Sequence, residues 1–320
     1  MRAIVVDQPG GPEVLRPTTL PDPVPGAGQV RIAVEVAAIT FIDTQIRSGS
    51  SIGPRIEFPA VLGNGVGGYV DALGEDVDPA WKNTLVVTST GGTGGYADQA
   101  VARVPDLHRV PDPLGAREAV TLLAEGRTAV GLNAAAKIED GDVVVVTAAA
   151  GGVGGLLVQL AATAGARVIA LAGSDSKVEH ARALGADTGV NYRAPEWASA
   201  LREAAPSGVD VVFDGVGGTT TDALHPLVRR GGRYVAHGAA SGTWASPDEQ
   251  ATSRGITHIG LDAIGGTPGS LHDLVEEALA LGSTKSLRPT IGQTYPLEAA
   301  ARAHSDITAR TVIGKTLLIP

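Results

Sequence analysis

The sequence predicts an α/β protein of two domains, one a doubly wound parallel sheet and the other a small β-rich barrel or sandwich. Strands that are apolar throughout alternate with helical segments over residues 143–236, which is typical of a parallel sheet covered by helices on both faces. The first third instead contains short β-prone runs separated by Pro and Gly. A length of 320 residues is also typical of two domains.

The β-rich part occupies the start of the chain and receives its end. Its strands are predicted in "MRAIVVDQ", "QVRIAVEVAAI", "GVGGYVDALG", "NTLVVTST" and "YADQAVARVPDLHRVP". Helical propensity begins near Gly115, in "AREAVTLLAEGRTAVGLNAAAKI". After the alternating region come a helix, "SLHDLVEEALALG", and a last strand, "TVIGKTLLIP", which the simplest assembly returns to the first domain. We therefore predict one domain over residues 1–118 and 267–320, and a second over 119–266.

The second domain contains a glycine-rich turn between its first strand and helix, "DVVVVTA" and "GVGGLLVQLAATAG". The turn matches the dinucleotide-binding pattern at its third and sixth places, Gly151 and Gly154, with Ala149 at the first. Gly151 lets a pyrophosphate approach the backbone, Gly154 lets the helix pack on the strand, and the helix N-terminus attracts phosphates. A turn that binds nothing is the alternative. Successive βα units around the turn favour a Rossmann dinucleotide site.

The end of the next strand indicates which dinucleotide is bound. NAD-binding chains carry an acidic residue there, whereas "ARVIALAG" ends at Gly173 and is followed by Ser174, with Lys177 one helical turn later. A hydroxyl and an ammonium suit the 2′-phosphate of NADPH. The alternative is that Ser174 caps the helix and Lys177 is solvated, and Asp175 could repel a phosphate.

Composition and charge argue against several other classes of function. The net charge of −9 argues against a nucleic-acid partner, and no basic cluster suggests a membrane surface. The chain contains no cysteine, which excludes disulfides, thiolate metal sites and cysteine nucleophiles. Neither a signal peptide nor a bilayer-spanning segment is evident, so the expected location is cytoplasmic.

Several segments along the chain form a recognisable set. They are "AAITFIDTQIRSG", "PAVLGNGVGG", "LLAEGRTAVGL", "TAAAGGVGG", "GSDSKVEHARALGAD", "VNYR", "FDGVGG", "GGRYVAHGAASG" and "IGKTLLIP". Together they resemble the zinc-independent quinone oxidoreductases, the zeta-crystallin-like group of the medium-chain dehydrogenase/reductase superfamily. The resemblance implies a GroES-like β-barrel domain that holds both chain ends, with the Rossmann domain inserted. It also implies hydride transfer from NADPH to quinones, enones or alkenals, and homodimers that pair through the last strand of the nucleotide sheet, here "GITHIGLDA".

The resemblance further implies roles for individual residues. Ser174, Lys177 and Tyr192 fall where the family binds the 2′-phosphate, and Thr128 falls near the nicotinamide. Backbone groups at Val216 and at residues 237–239, each after a later strand, fall where the family binds the carboxamide of the nicotinamide. The cofactor-binding residues predicted in this way and from the turn are Thr128, Ala150, Gly151, Gly152, Val153, Gly154, Ser174, Lys177, Tyr192, Val216, His237, Gly238 and Ala239.

The substrate pocket departs from the family pattern. Thr40 and Gln45 stand where "VNFIDTY" has asparagine and tyrosine, and Gly65 replaces an acidic residue. Zinc-dependent relatives place ligands at Thr40 and Asn64 and a glutamate at Gly65, and none of these three residues is a plausible zinc ligand. We predict that Thr40 and Gln45 orient the substrate and that there is no metal site.

Two classes of function remain open at this point. The first is an NADPH-dependent reductase of quinones or α,β-unsaturated carbonyls. The second is an NADPH-binding redox sensor, or a biosynthetic-pathway protein, with altered or no redox turnover. Asp43 is expected to cap a turn or helix, and His237 is expected to be packed rather than a general acid. The intact glycine turn and phosphate-binding residues favour the reductase.

Overall fold

The computed structural model describes residues 1–246, 253–264 and 270–320. The chain divides into two compact units. Met1–Ala124 and Val275–Pro320 form what we call the split unit, and Glu125–Leu274 form the inserted unit. The domain boundary predicted between residues 266 and 267 lies outside the described residues.

Strands and short helices alternate along much of the chain. The strands are β1 (Arg2–Val6), β2 (Arg16–Thr19), β3 (Gln29–Ile39), β4 (Ala60–Val61), β5 (Gly65–Leu73), β6 (Leu85–Ser89), β7 (Gln99–Arg103), β8 (Leu107–Arg109), β9 (Val143–Val146), β10 (Arg167–Ala172), β11 (Thr188–Asn191), β12 (Val209–Asp214), β13 (Val228–Ala236), β14 (Thr257–Ile259), β15 (Ile291–Pro296) and β16 (Lys315–Ile319). The helices are α1 (Phe41–Ser48), α2 (Ala116–Thr121), α3 (Arg127–Ala136), α4 (Gly152–Thr163), α5 (Asp175–Ala183), α6 (Trp197–Ala204), α7 (Thr219–Leu224), α8 (Ser270–Ser283) and α9 (Ala300–Thr308).

The inserted unit is built on a parallel sheet with the strand order β11-β10-β9-β12-β13-β14. This is the Rossmann order, in which the direction of strand addition reverses between β9 and β12. Every residue of β9 is buried, as an apolar run covered by helices on both faces requires. The predicted doubly wound sheet is thereby confirmed, and its switch point lies where β9 and β12 are neighbours.

The split unit is mostly antiparallel β-structure. Its larger sheet has the order β15-β16-β3-β5-β6-β8, with β7 also paired to β3, and a smaller sheet has the order β2-β1-β4. The last of these strands, β16, pairs with β3. Alternate residues of β3 and β5 enter a core that also contains Tyr96, Leu297 and Leu318.

The helical segment predicted after Gly115 is interrupted. Between α2 and α3 the chain passes through a π-helical turn at Leu122–Gly126, a feature often found at functional sites. Lys137, in the left-handed conformation with φ 49°, ends α3. Within the described residues, no helix is long and apolar enough to cross a membrane.

Candidate functional site

The glycine-rich turn follows β9 at the switch point of the parallel sheet. Gly151 is the N-cap of α4 and has no side chain to accept a hydrogen bond from the helix. The first backbone N–H groups of a helix have no intrahelical partner, so those of Gly152, Val153 and Gly154 are available to an anion. Ligands bind at this edge of open parallel sheets. The turn therefore fits the pyrophosphate of a dinucleotide.

Two glycines of this turn have different surroundings. A Cβ atom on Gly154 would lie 2.4 Å from the carbonyl oxygen of Ala148 and 3.0 Å from the Cα atom of Ala149, so only glycine lets α4 pack here. A Cβ atom on Gly151 would meet only the Ala148 oxygen, at 3.2 Å. Gly154 is thus required by the packing of the protein, whereas Gly151 keeps the space in front of the turn open.

The carboxyl end of β10 brings together the residues predicted for a 2′-phosphate. The Ser174 side chain accepts a hydrogen bond from the backbone N–H of Lys177, so Ser174 does cap α5. Asp175, which could have repelled a phosphate, accepts a hydrogen bond from the Asn191 side chain at 2.8 Å. A helix cap and a phosphate contact are compatible, because a hydroxyl has both donor and acceptor capacity.

Arg193 is a residue of this region that our sequence reasoning missed. A Cβ atom on Gly173 would lie 3.2 Å from the Tyr192 hydroxyl and 3.4 Å from the Arg193 Nε atom. The phenol and the guanidinium therefore both border the end of β10. The signal was present, since Arg193 directly follows Tyr192, and a guanidinium is well suited to phosphate.

Asp214, at the end of β12, organises the loop that follows it. Its side chain is fully buried and accepts five hydrogen bonds, from the Thr147, Thr221 and Tyr234 hydroxyls and from two backbone N–H groups of the loop. Burial alone would raise the pKa of Asp214. The bonds from Tyr234, the loop N–H groups and Thr147 outweigh burial and hold the pKa below its usual range.

The two loops predicted to meet the nicotinamide carboxamide are joined to each other. The backbone N–H of Ser241 donates to the Val216 oxygen at 2.8 Å, and that of His237 donates to the Asp214 oxygen at 2.8 Å. Burial lowers the pKa of His237 to about 4, so its ring is neutral near pH 7. Gly238 and Ala239 follow it at the end of β13.

The remaining predicted contact of the inserted unit is Thr128. It lies in the first turn of α3, directly after the π-helical turn, and is half-buried. Its hydroxyl can both donate and accept a hydrogen bond, so it can contact a polar ligand.

In the split unit, Thr40 and Gln45 both belong to α1, Thr40 at its start and Gln45 in its middle. Thr40 is the N-cap of α1 and forms a capping box with Asp43. The Asp43 carboxylate accepts hydrogen bonds from both the backbone N–H and the hydroxyl of Thr40, each at 2.7 Å. The predicted capping role of Asp43 is thereby confirmed. The Gln45 amide donates to the Thr44 hydroxyl at 3.1 Å.

Asn64 and Gly65 occupy the other positions where zinc-dependent relatives have metal-site residues. The Asn64 side-chain oxygen accepts hydrogen bonds from the Ser89 hydroxyl and the backbone N–H of Gly92, both at 2.6 Å. A Cβ atom on Gly65 would meet Leu123 and Ala38, so this position is surrounded by apolar groups. Asn64 is held as a structural acceptor of the adjoining loop.

Each of the two units matches a known protein family. Residues 26–112 match the alcohol dehydrogenase GroES-like domain, and residues 152–280 match the zinc-binding dehydrogenase family. Quinone oxidoreductase of Pseudomonas aeruginosa is 31% identical over 317 residues, 97% of each chain. The 2-haloacrylate reductase of a Burkholderia species is 31% identical over 330 residues, 99% of this chain and 98% of the relative. A mycobacterial protein solved in complex with NADPH has a TM-score of 0.90 at 34% identity, with 100% of both chains covered.

These findings confirm the predicted fold class, a Rossmann domain together with a GroES-like domain. They also confirm the resemblance on which the residue assignments rest. The two relatives that are 31% identical cover 97% and 99% of this chain. The chain therefore belongs to the quinone oxidoreductase family of the medium-chain dehydrogenase/reductase superfamily.

Proposed function

We propose that this protein is an NADPH-dependent reductase that transfers hydride to quinones or α,β-unsaturated carbonyls without zinc. The uncapped N-terminus of α4 at the switch point of the sheet is the observation that carries this proposal. The names of the relatives support it, since one reduces quinones and another a haloacrylate, in which an alkene is conjugated to a carboxylate. The proposed place of action is the cytoplasm, where NADPH is maintained in its reduced form.

The chain's own residues would hold the cofactor from three sides. Backbone groups of residues 150–154 would bind the pyrophosphate, with the N–H groups of residues 152–154 as donors, and Ser174, Lys177, Tyr192 and Arg193 would bind the 2′-phosphate. Thr128, Val216 and residues 237–239 would position the nicotinamide end. NADPH, when bound, supplies the hydride. The protein's part is to place the acceptor and to exclude competing water.

Replacing Lys177 with alanine should weaken NADPH binding about ten- to a hundredfold and leave NADH binding unchanged. The reason is that a charge-assisted contact to the 2′-phosphate contributes about 1.5–3 kcal/mol. Fluorescence titration with both cofactors measures this. Arg182→Ala, which removes an exposed cation from the last turn of the same helix, is the control. Equal wild-type affinities for NADH and NADPH would contradict the assignment.

We expect the acceptors to be ones that need no metal. Alcohol oxidation in the superfamily relies on a metal to stabilise an alkoxide, whereas a conjugated ring or double bond accepts hydride directly. Thr40 and Gln45 would contact the acceptor. Replacing both with alanine should lower turnover more than it lowers NADPH affinity.

The test is NADPH absorbance in the presence of para-quinones, ortho-quinones, alkenals and cyclic enones, with and without a chelator. We expect oxidation by members of this panel, no loss of turnover with chelator, and no reaction of simple alcohols with NADP. Tight NADPH binding with no oxidation by any acceptor would favour the redox sensor or altered pathway enzyme. The substitutions at Thr40, Gln45 and Gly65 are the observation that keeps this second candidate open.

We also propose a homodimer that forms through β14. This strand lies at the end of the strand order and pairs with β13 alone among the described strands. An unpaired strand edge favours association, and a two-fold pairing of sheets would remove it. Sedimentation at micromolar concentration should show a dimer. Thr257→Lys should weaken the dimer, whereas Thr188→Lys on the opposite edge strand β11 should not. A wild-type monomer would contradict the proposal.

A further inference from the structure

The Asn64 amide is held at its oxygen by the end of β6 and the loop that follows. This oxygen accepts from the Ser89 hydroxyl and from the backbone N–H of Gly92, both at 2.6 Å. Ser89 in turn accepts from the N–H of Gly91 at 3.4 Å, so its hydroxyl proton remains for Asn64. The backbone oxygen of Asn64 also accepts a bond, from the N–H of Thr90 at 2.8 Å. The acceptor atoms of Asn64 are therefore all used within the protein.

These contacts also fix which way the Asn64 amide is turned. A backbone N–H can only donate, so the atom that faces Gly92 is the oxygen and not the nitrogen. The Nδ2 atom forms no hydrogen bond within the described parts of the chain, and it is not one of the buried atoms that lack a partner. Asn64 is half-buried, so Nδ2 reaches solvent with both of its N–H donors uncommitted.

The strand register places this donor beside Thr40. Ala38 near the end of β3 pairs with Gly65 at the start of β5. Thr40 directly follows β3 and Asn64 directly precedes β5, so the two residues leave the sheet at the same end of neighbouring strands. The two positions that carry metal ligands in zinc-dependent relatives therefore remain next to each other in this chain, with a hydroxyl and an amide in place of the ligands.

The Thr40 hydroxyl is not available as a donor to a substrate. It donates to the Asp43 carboxylate at 2.7 Å, and the backbone N–H of Thr40 donates to the same oxygen. Gln45 uses one N–H on the Thr44 hydroxyl and keeps a second. Asn64 is the one of these three residues that keeps two side-chain N–H donors and has its acceptor oxygen anchored.

We propose that Asn64 is a catalytic residue that donates a hydrogen bond from Nδ2 to the carbonyl oxygen of the acceptor, where a metal ion acts in zinc-dependent relatives. This assignment rests on the proposed function. Hydride from NADPH adds to the β-carbon, an electron pair moves to the carbonyl oxygen, and the enolate then takes a proton from water to leave the saturated carbonyl and NADP⁺. Negative charge develops on that oxygen, so an N–H donor held in place by the loop stabilises the transition state more than the ground state.

The substitution that isolates this role is Asn64→Asp. One carboxylate oxygen keeps the bonds from Ser89 and Gly92, while the other replaces the two donors with an acceptor. We expect kcat/KM for cyclohex-2-enone to fall about a hundred- to a thousandfold, with the Kd for NADPH and the thermal midpoint close to wild type. Asn83→Asp, the same change at an exposed position of the split unit, is the control and should leave all three unchanged. Wild-type kcat/KM in the Asn64→Asp protein would overturn the proposal.

A second measurement needs no turnover. Cyclohex-2-enone labelled with ¹³C at the carbonyl is bound in the presence of NADP⁺, which cannot reduce it, and the infrared C=O band is recorded. A hydrogen bond to the oxygen moves this band to lower frequency. We expect the shift in the wild-type and Asn83→Asp proteins and its loss in Asn64→Asp.

The outcomes of this measurement separate the role of Asn64 from the proposed function. A band at the same position in the wild-type and Asn64→Asp complexes would overturn the role of Asn64, even in an enzyme that reduces enones. A shift that disappears in Gln45→Ala and persists in Asn64→Asp would assign the donor to Gln45 instead. A shift that depends on Asn64, in a protein that oxidises NADPH with no acceptor, would support the contact and reject the reductase.

Discussion

Replacing Asp214 with asparagine is expected to lower the free energy of unfolding by about 2–4 kcal/mol and to weaken NADPH binding. One carboxylate oxygen accepts from the Thr147 hydroxyl and from the backbone N–H groups of Val216 and Gly217. The other accepts from the Thr221 and Tyr234 hydroxyls. In asparagine an NH₂ group replaces one of these two oxygens. The backbone N–H groups of the loop cannot rotate away, so the remaining oxygen stays with them and the NH₂ group faces the Thr221 and Tyr234 hydroxyls, which lose their acceptor.

The loss should affect binding as well as stability, because the loop at Val216 is held by these bonds. Chemical denaturation and NADPH titration measure the two effects separately. Asp187→Asn is a matched control in the same unit, since Asp187 is exposed and accepts one backbone bond, from Val168. An Asp214→Asn protein as stable as Asp187→Asn would show that the five bonds contribute little.

The free energy of unfolding should also depend on pH through the Asp214 carboxylate. The folded protein holds the pKa of Asp214 below that of an unfolded aspartate, which is about 3.9. The contribution of this carboxylate is therefore complete above that pH and is lost as the pH falls through the folded pKa. The Asp214→Asn protein should lack this part of the acid destabilisation, as measured by denaturation between about pH 5 and pH 2.

The second large effect is expected at the glycine turn. Gly154→Ala should destabilise the protein by about 1–3 kcal/mol, because the new methyl group meets backbone atoms of Ala148 and Ala149 that can move only with β9. Displacement of α4 should also weaken NADPH binding by about tenfold or more, which is the effect expected from the loss of one phosphate contact.

Gly151→Ala is the informative partner of this variant. Its methyl group meets a single oxygen at 3.2 Å, so the thermal midpoint should remain close to wild type. Binding should still weaken, because the methyl group occupies the space where the pyrophosphate approaches. Calorimetry and titration of both variants separate packing from binding. A Gly151→Ala protein that binds NADPH normally would place the pyrophosphate elsewhere.

Much of this arrangement could be predicted from local sequence. The run of valines in β9, the glycines after it and the apolar strands that follow specify a Rossmann sheet, because a buried parallel strand has few other compositions. Ser174 and Asp43 were both recognised as possible caps, since capping depends on residues three positions apart.

The contact between Tyr96 and His304 could not be predicted in this way. Tyr96 and His304 lie far apart in sequence, and their contact depends on how β-strands and α9 pack in the split unit. A histidine on the apolar face of a helix gives no sign of its partner. Asp214 was visible in "FDGVGG", but its five bonds come from several elements whose approach only the fold defines.

The position of β16 has a consequence for how the protein is made. This strand lies between β15 and β3, and its partner Ile39 on β3 is synthesised at the other end of the chain. The inserted unit is complete on the ribosome while the end of β3 that pairs with β16 still lacks its neighbour on one edge. Until β16 emerges, that part of the edge carries unpaired N–H and C=O groups that other chains can bind. The order of synthesis thus makes the first domain to begin the last to be finished.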